Sequence, residues 1–519
     1  MQEKGNKSVI KRLVRFLISP LRKKPREETT PIQQKELPIF LPPRREEKRK
    51  GQLNIGIDFG TSSTKVFLKD ILSNRTYVYA FDNPHDNFGP FCWPSTIRIA
   101  DRCLYFGIPA ERKEDGKAIR SFKICFACKN GTISEKECLF KQCETNRSTT
   151  GIFTLLVNQG EHIEFNVCEL TALFVAQLLD EVLRTVRADK NFDVESKYTV
   201  NMTAPLDMLN NPDLEISFNT ALHLANLMTG QITQGIPAAE AKEKLYNARL
   251  EFELKGLPTE DIRSTFLVPE THAAMMGYMV QGRAEPGLYA AVDVGAGTTD
   301  VAIFRRCDKY AERDFTYYFA GTDLVGGDDI DRNILKQVVN TNDVTTMNIS
   351  KLLGDIRHIK LDFDEIEGTT LEGQPLKAHQ FYSAMRPVLD RIVSHYQKIW
   401  GGGYEKEKRP PRWQNLSVLL LGGCTKMPLI QNELSRCNPA EDFIHIIPNI
   451  KTVELPEAIE VLGSSDKLQI AEYANLLMVA YGASFHIGEI KSFFPPRDVG
   501  PDVIQRPPEP EGPFWGHWW

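Results

Sequence analysis

Tyr289–Phe304 reads YAAVDVGAGTTDVAIF. An apolar run broken only by Asp293 meets Gly295-Ala296-Gly297, and a second apolar run, Val301–Phe304, follows. Strand, tight turn, strand is the reading that the pattern supports. The turn gathers backbone N–H groups with the hydroxyls of Thr298 and Thr299 around one point, a set of donors suited to phosphate oxygens. Asp293 at the strand end would repel phosphate by itself. It fits there if a divalent cation, held mostly through water, lies between the two. Read alone, the stretch leaves open an ordinary hairpin with a structural aspartate.

The same device occurs upstream. Leu53–Leu68 reads LNIGIDFGTSSTKVFL, with Asp58 ending an apolar run and Gly60, Thr61 and Ser62 in the turn. Asp58 and Asp293 stand 235 residues apart, which predicts one loop in each half of the globular chain. A third loop, VLLLGGCTKMP at 418–428, carries an apolar strand into Gly422-Gly423. Gly326-Gly327-Asp328 makes another turn, leading into a helix whose N-terminus favours anions.

The segments GIDFGTSSTK (56–65), VPETHAA (268–274), VDVGAGTTD (292–300), GGDDID (326–331), LLLGGCTKMP (419–428) and AYGASF (480–485) come in a fixed order. Together they resemble the ATPase domain of the seventy-kilodalton heat-shock chaperones (DnaK-like), within the actin/hexokinase/heat-shock superfamily. The resemblance covers about Asn54 to Gly488. It implies an α/β fold of the two-lobed, actin-like ATPase kind, made of duplicated ribonuclease-H-like domains with a nucleotide cleft between lobes. It implies ATP as ligand, with Mg²⁺ near Asp58 and Asp293. Gly60, Thr61, Ser62, Gly295, Gly297, Thr298, Thr299, Gly326, Gly327, Asp328, Gly422 and Gly423 are the expected nucleotide contacts. The family's phosphate-reaching lysine matches Lys123, with Arg120 as the fallback and a plain surface lysine as the alternative. Glu270 is expected to orient the attacking water with Lys123 and Thr298; Pro269 and Glu270 stand in exchanged order relative to the family. Ile356–Phe363 falls where the family packs a helix on adenine. Lys360 matches a family lysine there, while Arg357 replaces the usual glutamate.

Composition bounds the rest. The 519 residues are 42% hydrophobic and 25% charged with a formal net charge of −5, ordinary for a globular protein and without a nucleic-acid footprint. Residues 1–50 differ: 15 lysines and arginines face six glutamates. Within this leader, residues 8–19 (SVIKRLVRFLIS) form a short basic amphipathic pattern. Such a helix can lie on an anionic membrane surface, or dock on a partner, or remain a basic leader. The expected location is the cytoplasm, with peripheral contact at the inner face of a membrane as the addition this helix would bring. The expected organisation is a leader (1–50), a first lobe (51–285), a second lobe (286–490) and a Pro/Trp-rich tail (491–519).

Cys125-x2-Cys128-x9-Cys138-x4-Cys143 offers two close thiol pairs suited to tetrahedral zinc, with a disulfide or bystander thiols as alternatives. The chaperones have no such cluster. Ala118–Cys128 reads as a helix start, Gly401–Pro411 as a loop, and the roughly 60 residues before Val268 as helical patterns in an insertion. Three functions fit: a chaperone-like ATPase that works through a protein partner, a small-molecule kinase, and an actin-like scaffold. The Glu270 and Gly326–Asp331 segments favour the first.

Overall fold

The computed structural model describes residues 52–81, 89–126, 152–158, 161–189, 192, 197–206, 211–255, 265–281, 285–306, 315–338, 356, 370–371, 374–375, 378–408, 413, 416–436, 448–451, 453–464, 468–486 and 493–494. All of them belong to one unit of the chain, 50–519. Two sheets organise it. The first contains β1 (Gln52–Phe59), β2 (Ser63–Asp70), β3 (Arg75–Tyr79), β4 (Lys197–Ala204) and β5 (Thr265–Pro269) in the order β5-β4-β1-β2-β3. The second contains β6 (Gly287–Val294), β7 (Thr299–Arg306), β8 (Phe315–Asp323), β9 (Ser417–Leu421) and β10 (Asn449–Lys451) in the order β10-β9-β6-β7-β8. In each, the first two hairpin pairings are antiparallel and the outer two are parallel. The same order and sense therefore occur twice. Glu460–Leu462 adds to the edge of the first sheet beside β3, and Phe493–Phe494 to the edge of the second beside β8.

Central strands buried on both faces explain the near-continuous apolar runs. Alternation along each strand then sorts the side chains. Ile55, Ile57 and Phe59 of β1 face a core shared with α1 (Val167–Ala188), α2 (Pro212–Met228) and α3 (Ala238–Lys255). Ala290, Val292 and Val294 of β6 face a second core with α5 (Gly327–Val338) and α6 (Ala378–Lys406). The opposite faces of the two sheets share a third core with α4 (Glu270–Met279) and α7 (Ala474–Ala483). Asp293 lies in register with Tyr289 and Ala291, which belong to this shared layer, and Asp58 lies in register with Gly56, which meets α7.

The middle layer depends on missing side chains. A Cβ on Gly482 would lie 1.6 Å from the Ala273 carbonyl oxygen, and one on Gly56 would lie 2.3 Å from the Ser484 nitrogen. The α7 helix thus meets α4 and β1 at backbone contact, beside the small Ala273-Ala274 pair. Its C-terminal carbonyls are satisfied by Asn201 of β4, whose Nδ2 donates to Ala483 O and Phe485 O at 2.7 Å each.

Two local expectations are corrected. Residues 118–124 are not α-helical, and α-helical backbone begins only at Cys125–Phe126. Lys117–Arg120 pairs with Thr96–Ala100 as a strand, Ser121 takes a left-handed conformation (φ 54°), and a single 3-10 turn, Phe122–Ile124, follows. Ladder pairing from Thr96 to Arg120 outweighs the helical pattern there. Nor is 401–406 a loop: Gly401, Gly402 and Gly403 complete α6. A Cβ on Gly402 would press on the Phe319 ring at 2.8 Å, and one on Gly403 on Ile303 at 3.1 Å. These glycines let the helix lie against the sheet, a packing reason that local propensity does not contain.

Candidate functional site

A cavity of about 350 Å³ is lined from both sheets. Asp58, Gly60, Thr61, Ser62, Ser63 and Lys65 come from the β1–β2 hairpin, and Asp293, Gly295, Ala296 and Thr298 from the β6–β7 hairpin. Gly422, Gly423, Cys424 and Lys426 follow β9. Lys123, Glu270 and Asp328 add to the polar lining, while Gly89, Cys92, Tyr473, Asn475, Leu476 and Val479 form a further wall. Asp58, Lys123, Glu270, Asp293 and Thr298, the expected catalytic set, all line it.

The hairpins touch directly at Gly297, where a Cβ would meet Ile124 Cδ1 at 2.5 Å and Thr61 Cγ2 at 2.8 Å. Gly297 does not line the cavity; it permits the close approach that forms it. Gly422, at φ 81°, sits where a Cβ would lie 2.3 Å from Asp293 Oδ1. Any side chain there would displace the carboxylate. Thr299 also lies outside the lining, and its hydroxyl donates to Val325 O at 2.7 Å.

The 326–328 turn has a different job from open phosphate contact. Gly326 N donates to Asp329 Oδ2, Gly327 N to Gly295 O and Asp328 N to Ala296 O, at 3.0, 3.0 and 2.7 Å. The Gly327 and Asp328 N–H groups hold the 295–296 loop in place. Asp328 lines the cavity, and its carboxylate accepts from Ser121 Oγ at 2.9 Å. That bond ties the turn bearing Lys123 to the start of α5.

Lys123 is buried, on a turn anchored by Phe122, whose ring lies 5.7 Å from Phe59 and 5.4 Å from Phe174. Its ammonium donates to Glu270 Oε1. Arg120, the fallback, instead grips Glu111 through Nε and Nη2 at 3.1 and 2.6 Å and is absent from the lining. Lys65 went unassigned in the sequence, although it lies directly across the ladder from Asp58. Its Nζ is 3.1 Å from Asp58 Oδ2, and Thr203 Oγ1 is 3.4 Å from Asp58 Oδ1. A lysine inside the otherwise buried run of β2 was the available signal. Tyr473 and Lys426 were also missed; Lys426 Nζ donates to Glu472 O and lies 5.2 Å from the Tyr473 ring centroid.

Charge is crowded here. Burial pushes Glu270 up to about 7, against the downward pull of Lys123 and with help from Asp300 and Asp58. Asp293 is raised well above the usual carboxylate range by burial, then by Glu270, Asp300 and Asp58. Burial also raises Asp300, although Thr322 Oγ1 and Leu206 N donate to it at 2.5 and 3.2 Å. Burial lowers Lys65, but the Asp58 charge and hydrogen bond, with the charges of Cys92 and Asp293, together outweigh it and hold the ammonium above its ordinary value. Among the described residues, no three Asp, Glu, His or Cys side chains converge closely enough to hold a metal ion directly.

His272 is packed rather than placed for chemistry: it is buried, with Nδ1 3.2 Å from the Tyr317 hydroxyl. Cys125 is buried in the core around Phe122, while Cys128, Cys138 and Cys143 lie outside the described residues. Lys360, the amphipathic stretch 8–19 and the Trp-rich tail lie outside them too. Among the described residues, no helix is long and apolar enough to cross a membrane.

No family model matches the chain. It is similar to proteins described as chaperone protein HscA homologues. The one from Burkholderia cenocepacia is 26% identical over 210 residues, 37% of this chain. That from Burkholderia ambifaria is 27% identical over 210 residues, and that from Variovorax paradoxus 25% over 205, each again 37% of this chain. The match spans about a third, 32%, of the length of each of these relatives. The similarity is distant and partial.

Proposed function

We propose that this chain is a DnaK-like ATPase of the two-lobed, actin-like fold. It binds ATP with Mg²⁺ in the cavity between its two sheets and uses hydrolysis as a conformational switch that acts on a protein partner. One observation carries the reading: Asp58 and Asp293, from hairpins far apart in sequence, line a single cavity with the Gly422-Gly423 loop. The repeated strand order of the two sheets supports the duplicated fold, and the partial likeness to HscA homologues supports the ligand.

The residues fit the group. Lys65, Lys123 and the hydroxyls of Thr61, Ser62 and Thr298 supply donors for phosphate oxygens. Asp58 and Asp293 suit a hydrated divalent cation reached through water, since no direct ligand cluster forms among the described residues. The crowding that raises Asp293 and Glu270 is the condition a cation relieves. When bound, Mg²⁺ would neutralise charge between these carboxylates and the phosphates.

Glu270 lines the cavity and is placed to orient water there. Lys123 fixes the Glu270 carboxylate and carries positive charge to the same point. Catalysis on this reading is positioning plus charge stabilisation. Because Ser121 and Asp328 link the Lys123 turn to α5, a change at the phosphates has a short route into both sheets.

Equilibrium titration of the full chain with ATP, with and without Mg²⁺, tests the proposal. Saturable binding strengthened by Mg²⁺ is expected; no binding in either condition overturns it.

A further inference from the structure

Helix α3 has two faces whose roles are plain and a third whose role is not. Ala241, Leu245 and Ala248 are buried in the first core. On one flank Lys242 and Arg249 both reach the Glu169 carboxylate at 2.9 Å, and Glu169 is itself part of the capping box of α1. The third face points to solvent. On it Tyr246, Leu250 and Leu254 follow one another at i, i+4 and i+8, and are 62%, 39% and 86% exposed. At about 100° per residue they stay within roughly 40° of one direction and run for about 12 Å along the helix. The exposed face of such a helix is normally polar. Glu240, Glu243 and Glu253 border the apolar stripe and are exposed, whereas Lys242 and Arg249 on its flank are engaged by Glu169 and Lys244 is half-buried.

We propose that this face of α3 is a docking surface for a cationic amphipathic helix of a protein partner. The apolar stripe of such a helix would cover Tyr246, Leu250 and Leu254, and its lysines or arginines would meet Glu240, Glu243 and Glu253. Charge selects this occupant. A second copy of the chain would set the same carboxylates against one another, and an anionic lipid surface would be repelled by them. None of these residues lines the nucleotide cavity, so the surface stands whether or not the cavity binds ATP.

The full chain is titrated with a fluorescent peptide of about 18 residues, long enough to form a helix, built from Leu and Lys with leucines at i, i+3, i+4 and i+7. A scrambled peptide of equal composition and a Leu/Glu counterpart serve as controls. Binding of the Leu/Lys helix is expected, with both controls at least about tenfold weaker. Leu250→Asp with Leu254→Ser, and separately Glu243→Lys with Glu253→Lys, are each expected to weaken it by about tenfold or more. Thermal unfolding and ATP binding should stay unchanged in both variants. Three results overturn the proposal: no binding at low ionic strength, binding indifferent to both pairs of substitutions, or a dimer in sedimentation that Leu250→Asp dissolves.

Discussion

Asp58 and Lys65 face each other across the β1–β2 ladder, so this buried ion pair follows from the length of one hairpin. Glu270, Asp293 and Asp300 are less well compensated, and this has a pH signature. Glu270 has a folded-state pKa raised from 4.5 to about 7, and Asp293 and Asp300 move in the same direction. A raised carboxylate contributes stability that is full below its unfolded pKa and is lost as pH rises through the folded one. The nucleotide-free chain should therefore lose stability from this cluster between 4.5 and about 7. Asp293→Asn removes one of the crowding charges, so melting curves at about pH 5 and about pH 7.5 should show a smaller drop in the variant. An equal drop would contradict the cause assigned to these shifts. At the same scale, Lys123→Ala should lower turnover by about a hundredfold or more while nucleotide affinity changes little, because its contact is with Glu270. A loss confined to affinity would mark Lys123 as a phosphate contact alone.

Among the elements, the glycines of α6 make a paired test. Among the described residues, nothing lies within 4 Å of where a Cβ on Gly401 would stand, so Gly401→Ala should stabilise by about 0.5–1 kcal/mol through helix propensity. Gly402→Ala presses on Phe319 and should destabilise by about 1–3 kcal/mol. Thermal melts of the two variants should move in opposite directions, and a shared direction would show that the α6 packing is misassigned. This helix end reads as a loop in the sequence because three glycines in a row signal flexibility locally. What decides the outcome is the sheet beneath, which only the folded chain supplies. The start of 118–128 misled for the same kind of reason: Arg120 belongs to a ladder with Thr96, a contact no local window contains.

For the molecule as a whole, alternation in β1 and β6 made the two hairpins and their aspartates legible, and the order of the motifs made a resemblance legible. The convergence of Asp58, Asp293 and Gly422 on one cavity follows from the duplicated strand order, which the sequence implies only through resemblance. The braces were not legible. Gly326–Asp328 reads as a phosphate turn, yet the Gly327 and Asp328 N–H groups hold the 295–296 loop, and Gly297 serves contact with Thr61 and Ile124. Both depend on distances between segments far apart in the chain. The central claim is that the paired aspartates make this cavity an ATPase site. Phosphate release from ATP with Mg²⁺ by the wild-type chain and by Asp293→Ala, with circular dichroism confirming equal folding, tests it most directly. Turnover in the wild type that is abolished in the folded variant is predicted; wild-type turnover retained in Asp293→Ala would contradict the account.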